Sequence, residues 1–300
     1  MPQIRANGVM LEYEVTGDAA AEPVLLIMGL GAQLTRWSPE FTTKLAARGY
    51  RVIRFDNRDI GLSEKLDAAG PPDIPALFAA RNEGKWPKVA YDLNDMAADA
   101  AGLLDALGIA RAHIVGASMG GMIAQLVAAD HPEKTLSLTS IMSTTGNPAL
   151  PAATPAAMER LNMPAPDPTK DLEAYVAHSI VGARVMGSPG YPVSDEILRD
   201  EAISTVKRSY YPLGFMRQYA AILGSPDRRT KLATITAPTV VIHGDADPLV
   251  PIDGGRDTAA SIPGAELLVI LGMGHDVPAA LYDRIIDGIV QAAARAKAPV

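Results

Sequence analysis

The 300-residue chain contains no cysteine. This excludes disulfide staples, a thiol nucleophile, cysteine zinc sites and cysteine-ligated iron–sulfur clusters together. Serine is then the natural nucleophile to look for. Basic residues are in deficit: 27 Lys and Arg stand against 34 Asp and Glu, a net charge of −7. Binding nucleic acid requires a basic face for phosphates, so no such partner is expected. Long apolar runs are also scarce. The most membrane-like stretch, 112–129, holds His113, Ser118 and Gln125 and is interrupted by three glycines. A spanning helix needs about 20 mostly apolar residues, so no membrane span is expected. Met1-Pro2-Gln3-Ile4-Arg5 shows no charged leader followed by an apolar run, and a cytoplasmic setting is expected.

What is present is a balanced globular composition, 48% apolar and 20% charged. At about 150 residues per domain, the length suggests two domains or one large α/β unit. Residues 10–15 alternate apolar and polar, as a half-buried antiparallel strand does. Residues 24–28 (VLLIM) are continuously apolar, as in a strand covered on both faces. Further strands are expected at 51–55, 113–116, 136–142, 240–243 and 266–271. Helices are expected at 37–48, 92–107, 119–129 and 279–294, with Gly108 stopping the second. Strands separated by helices predict a mostly parallel sheet covered on both sides.

One segment departs from this alternation. Residues 145–225 contain nine prolines and no convincing strand, with helical patches at 172–185, 196–209 and 213–223. A structureless loop of that length would be unusual. The segment reads as an inserted helical cap, leaving 1–144 and 226–300 as the core.

The chemistry concentrates in Gly116-Ala117-Ser118-Met119-Gly120, a Gly-x-Ser-x-Gly turn between an apolar strand and a helix. A serine hydroxyl is a poor nucleophile and must stand clear of its backbone to meet a base and a carbonyl. A sharp strand-to-helix turn does this. Small residues at 116, 117, 120 and 121 let backbones cross closely, and the helix start presents free amides to negative charge. The Met119 N–H is one oxyanion donor. Five histidines compete for the base. His113, His131, His178 and His243 read as structural. His275, in Gly272-Met273-Gly274-His275 between the last strand and the last helix, suits a base reaching over the sheet. The orienting acid should follow a late strand, where Asp245 and Asp247 compete. Asp247 is favoured because it stands further out beside Pro248, whereas Asp245 suits a bond to its own loop. The chain order Ser118, Asp247, His275 differs from that of chymotrypsin and subtilisin.

Together with Met28-Gly29-Leu30-Gly31, the 56–63 stretch DNRDIGLS and the 244–251 stretch GDADPLVP, these landmarks resemble the α/β-hydrolase fold over nearly the whole chain. Within that fold the chain looks most like bacterial carboxylesterases that include the aclacinomycin-type methylesterases. The resemblance implies an eight-stranded, mostly parallel sheet with a helical cap. It makes the Leu30 amide the second oxyanion donor and the Asp56/Arg58 stretch a brace beneath it. Met28 stands where relatives often carry histidine, which leaves a main-chain donor intact and makes the pocket more apolar. The implied reaction is hydrolysis of a small-molecule ester through an acyl-enzyme, without metal or cofactor. Gly29-x-Gly31 lacks the third glycine and the distant acid of a dinucleotide site.

Met28, Met119, Met142 and Met273 are expected to ring the site, with Met186, Tyr210 and Met216 contributed by the cap. Such a wall favours an apolar acyl or alcohol group. Arg184, Lys207, Arg208 and Arg217 of the cap could meet a carboxylate, though basic side chains on helices are usually solvated. A lactonase, proline iminopeptidase, C–C bond hydrolase or perhydrolase would keep the same triad, and so would a receptor-like binding protein. Ser118 argues against fold members with an aspartate nucleophile.

Overall fold

The computed structural model describes residues 2–297. In chain order its elements are β1 (Gln3–Ala6), β2 (Val9–Thr16), β3 (Glu22–Ile27), α1 (Pro39–Ala47), β4 (Tyr50–Phe55), α2 (Ile74–Asn82), α3 (Leu93–Ala106), β5 (Ala112–Ala117), α4 (Met119–Asp130) and β6 (Thr135–Ile141). They continue with α5 (Pro155–Asn162), α6 (Leu172–Met186), α7 (Asp195–Arg208), α8 (Pro212–Gly224), α9 (Arg229–Leu232), β7 (Thr239–Gly244), α10 (Ile252–Ser261), β8 (Glu266–Ile270) and α11 (Tyr282–Ala296).

The eight strands form one sheet in the order β1-β2-β4-β3-β5-β6-β7-β8. The pairs β1/β2 and β2/β4 are antiparallel, and all others are parallel. The apolar runs explain why. Along β3, Val24 and Leu26 face one core while Leu25 and Ile27 face the other, and Ile114 and Val115 divide in the same way on β5. Successive side chains of a strand point to opposite faces. A continuous apolar run can therefore be satisfied only where both faces are covered. One cover is built on α3 and α4 through Leu93, Met96, Leu103 and Ile123. The other is built on α1 and α11 through Phe41, Leu45, Ile285 and Ile289. Truncating one such fully buried leucine or isoleucine to alanine costs about 2–5 kcal/mol.

Local signals fix the helix ends. The Asp92 side chain accepts from the Asn94 and Asp95 amides, and the Asp95 side chain caps back onto the Asp92 N–H. This reciprocal cap satisfies donors that a helix start otherwise leaves open. Gly108, at φ 67°, ends the same helix.

Five elements were not anticipated: β1, α2, α5, α9 and α10. β1 is a four-residue edge strand, too short to show a period. α2 and α5 are short helices lying among prolines. In both, the proline occupies the first turn, where its missing N–H costs nothing. Residues 145–225 thus hold four helices, α5 to α8, where periodicity predicts three.

Candidate active site

The residues singled out in the sequence lie beyond the carboxyl ends of parallel strands. Leu30 follows β3, Ser118 follows β5, Met142 follows β6, Asp247 follows β7 and His275 follows β8. The chain steps from β3 outward to β4 and then back past β3 to β5, so strand order reverses between β3 and β5. Loops diverge at such a point and leave a crevice for a ligand.

Ser118 sits in that crevice with φ 57° and ψ −121°. A non-glycine residue in this region costs about 1–3 kcal/mol and persists only if its surroundings hold it. The Ser118 N–H donates to the Ile141 carbonyl at 2.9 Å, and the Ser143 hydroxyl donates to the Ser118 carbonyl at 2.9 Å. The glycines make the crossing possible. A Cβ on Gly120 would stand 2.1 Å from the Ile27 oxygen, and one on Gly116 would stand 2.0 Å from the Gly120 oxygen.

His275 Nε2 lies 2.9 Å from Ser118 Oγ, and Nδ1 lies 2.7 Å from Asp247 Oδ2. With a carboxylate at Nδ1, the proton belongs there, and Nε2 is left to accept the serine hydroxyl. The other Asp247 oxygen, Oδ1, accepts the Leu249 and Val250 amides at 2.9 and 2.8 Å. These two bonds fix the carboxylate plane and turn Oδ2 toward the imidazole. Asp245 does something else: its Oδ1 accepts the Gly272 N–H at 2.7 Å and braces the loop that carries His275.

The other histidines stay away from Ser118. His113 is fully buried, 2.8 Å from Ser137 Oγ, and burial pushes its pKa below the ordinary value. Buried His243, its pKa lowered for the same reason, pairs with the Val250 carbonyl at 2.8 Å. It approaches Asp247 Oδ2 only to 3.7 Å. His178 Nδ1 accepts from Arg160 at 3.0 Å, and His131 Nδ1 lies 3.8 Å from Glu133.

The Met28–Gly31 turn passes directly over Ser118. A Cβ on Gly29 would lie 3.1 Å from Ser118 Cβ. Among the described residues, neither the Leu30 nor the Met119 N–H donates to a protein acceptor. The brace beneath this turn is extensive. Asp56 accepts the Leu34 and Leu62 amides at 2.7 and 2.8 Å, Asn57 donates to the Met28 carbonyl at 2.9 Å, and Arg58 pairs with buried Asp99 through two bonds of 2.6 Å.

Two expectations need correction. Arg208 and Arg217 are neither solvated nor free for a substrate. Arg208 meets Asp56 at 2.7 Å. Arg217, 2% exposed, forms a two-bond pair with buried Asp59 at 2.7 and 2.8 Å. Their partners lie about 150 residues earlier in the chain, so helix periodicity gives no sign of the pairing. The second correction concerns the methionines. Met119 and Met273 are 0% exposed within the two cores, so their side chains cannot form a wall open to substrate. Met28 and Met142 are each 6% exposed, and Met186, Tyr210 and Met216 are half-buried.

Sequence reasoning missed the contact between the end of α6 and the His275 loop. The His275 N–H donates to the Met186 carbonyl at 2.7 Å, and the Gly274 N–H donates to Ser188 Oγ at 2.9 Å. The Ser188 hydroxyl in turn donates to Asp276, whose pKa burial raises. Nothing local marks Ser188, which lies 86 residues from its partner Gly274.

Among the described residues, no group of three or more His, Asp or Glu side chains is arranged to hold a metal ion. A cavity of about 330 Å³ lies between α2, residues 87–90 and α8. Neither Ser118 nor His275 lines it.

Comparisons with known proteins agree with this architecture. The chain is 30% identical to a rhodomycin D methylesterase (DauP) from a Streptomyces species, over 95% of each chain. It is 29% identical to a second rhodomycin D methylesterase (DnrP), from Streptomyces peucetius, again over 95% of each. Among solved structures it superposes with a meta-cleavage product hydrolase from Pseudomonas fluorescens at a TM-score of 0.75 and 20% identity, over 99% of this chain and 98% of the other. A family model for the alpha/beta hydrolase fold matches residues 22–278. The chain therefore belongs to the α/β-hydrolase-fold family.

Proposed function

We propose that this chain is a serine carboxylesterase acting on small to medium apolar carboxylic esters. The observation that carries the reading is the unbroken line from Ser118 Oγ through His275 to Asp247, at 2.9 and 2.7 Å. In this reading Ser118 is the nucleophile and His275 the base. Oγ attacks the ester carbonyl as His275 takes its proton. Asp247 holds the histidine tautomer and stabilises the imidazolium. The carbonyl oxygen becomes an oxyanion beside the Leu30 and Met119 amides, where losing one donor typically costs about 3–4 kcal/mol. The alcohol leaves with the proton from His275, and water repeats the steps on the acyl-enzyme. Met28, Met142, Met186, Tyr210 and Met216 supply the apolar wall. Residues 145–225 act as the cap over the site.

Two supports come from relatives: the matched Streptomyces proteins are methylesterases, and they align over nearly their whole length. No helix among the described residues is long and apolar enough to cross a membrane. A cytoplasmic setting and a small-molecule substrate belong to the same proposal.

The test is turnover. Wild-type protein should hydrolyse p-nitrophenyl acetate or butyrate and react with a fluorophosphonate probe. Ser118→Ala should lose both without unfolding. A panel of methyl esters, lactones and aminoacyl anilides then ranks the chemistries open to the triad. Wild-type protein that neither turns over an ester nor takes the probe refutes the enzyme reading. Activity confined to proline anilides displaces the esterase.

A further inference from the structure

The Leu30 N–H can serve an oxyanion only if the Met28–Gly31 turn holds it in one direction. A backbone amide in a loop has two soft torsions on each side, so a donor aimed to within a few tenths of an ångström needs anchors before and after it. The anchor before is in the core: Asn57 donates to the Met28 carbonyl at 2.9 Å. The anchor after comes from 187 residues away, where Gln218 Oε1 accepts the Gly31 N–H at 2.9 Å.

Gln218 lies on α8, in the inserted segment, and is 0% exposed. Its other amide atom, Nε2, donates to the Arg58 carbonyl at 2.9 Å. The side chain is therefore held at both ends and cannot turn over without losing two buried bonds. Its helix is pressed onto the same turn. Gly31 sits at φ 68°, and a Cβ there would stand 2.6 Å from the Phe215 ring. A Cβ on Gly214 would stand 2.0 Å from the Asp59 carbonyl oxygen. The neighbouring Arg217–Asp59 pair fastens α8 one residue away.

The choice of residue also has an electrostatic consequence. A carboxamide accepts the Gly31 N–H without bringing a charge. A carboxylate at the same place would set a negative charge next to a developing oxyanion and leave the Arg58 carbonyl without its donor. Both effects oppose what the turn is built to do, since preorganised neutral dipoles stabilise developing charge without reorganising.

We propose that Gln218 is a positioning residue through which the inserted helix α8 aims the Leu30 N–H at the oxyanion. The proposal rests on the esterase reading and on Leu30 as a donor. It gives the inserted helices a part in the chemical step, beyond covering the site.

The experiment compares wild type with Gln218→Glu, which keeps shape and adds charge, and Gln218→Met, which keeps length and removes both bonds. Thermal melting first establishes that each variant is folded. Turnover of p-nitrophenyl butyrate gives kcat and KM, and a trifluoromethyl ketone, which forms an oxyanion on serine, gives Ki. Losing a whole donor costs about 10²–10³ in kcat, so misaiming one should cost about tenfold to hundredfold in kcat with KM within about twofold. Ki should rise by the same factor as kcat falls, with Gln218→Glu the worse variant. Folded variants whose kcat and Ki match wild type overturn the proposal. So does a rise in KM alone, which would make Gln218 a wall residue. Should both variants unfold, a crystal structure of wild type with a phosphonate bound to Ser118 decides. A phosphoryl oxygen on the Leu30 N–H, with the Gln218–Gly31 bond intact, supports the proposal. An oxygen held away from Leu30 overturns it. Failure of the esterase reading looks different: the wild type itself then neither turns over the ester nor takes the phosphonate.

Discussion

Replacing Asp247 by asparagine tests the orienting role of that carboxylate, because the substitution changes almost nothing in shape. The Asp247 side chain is fully buried, with Oδ1 held by two backbone amides and Oδ2 aimed at His275 Nδ1. In the variant, the amide oxygen is the only atom able to accept from Leu249 and Val250. The NH2 group must then face His275. An NH2 donor there needs an acceptor, which pulls the imidazole into the other tautomer. The Nε2 proton then points at Ser118 Oγ, and the base is lost. Such a tautomer reversal costs about 10⁴ in kcat, or about 5 kcal/mol of barrier. Stability should change little, because both backbone bonds survive. Asp245→Asn is the internal control. Among the described residues its side chain accepts the Gly272 N–H alone, and asparagine keeps that bond. Its loss should be within about threefold, as expected for a group outside the reacting line. Ester turnover with equilibrium unfolding of both variants is the assay. Equal losses at 245 and 247, or a greater loss at 245, would refute the assignment.

Arg217→Met should destabilise by about 3–5 kcal/mol, because it leaves the Asp59 carboxylate buried and unpaired. Adding Asp59→Asn should return part of that loss, and a denaturant-based double-mutant cycle measures the coupling. Gly120→Ala drives a Cβ to 2.1 Å from the Ile27 oxygen and 2.8 Å from the Met28 oxygen. It should cost about 1–3 kcal/mol of stability and displace the turn above Ser118, lowering kcat. Burial lowers the folded pKa of His113 and His243. The unfolded chain therefore takes up more protons below its own histidine pKa of about 6.5. Stability contributed by these groups is complete above that pH and is lost as pH falls, at up to about 1.4 kcal/mol per pH unit for each histidine. Urea unfolding between pH 7.5 and 5 should show this slope, and a His113→Asn variant should flatten it. Limited proteolysis should cut first within 145–168, and resistance there with cleavage elsewhere counts against a mobile cap.

The parts legible in the sequence are those written in neighbouring residues. The β3 run of apolar residues shows burial on both faces because strand periodicity is two. The turn at Ser118 is readable because its glycines stand within five positions of one another, between an apolar strand and a helix. Spacing alone separates Asp245 from Asp247 less sharply. Both sit in one loop, and only the direction of the Asp247 side chain, set by the 249 and 250 amides, brings it to His275. The pairing of Arg208 on α7 and Arg217 on α8 is hidden from the sequence for the opposite reason. Helix periodicity assigns faces against a nearby core, whereas Arg208 and Arg217 pair with carboxylates that follow β4.

The sequence by itself determined the alternation of strands and helices, the helical stretch at 145–225, the turn at Ser118 and the order in which Ser118, Asp247 and His275 follow one another. Each is a matter of residue order, of local sterics or of a repeat no longer than one helical turn. Tertiary structure alone decided which methionines stay buried, which carboxylate faces the imidazole, and that Gln218 reaches Gly31 across 187 residues. Those outcomes depend on where distant segments meet, and a hydrogen bond a few ångströms long leaves no trace in the spacing of residues so far apart along the chain.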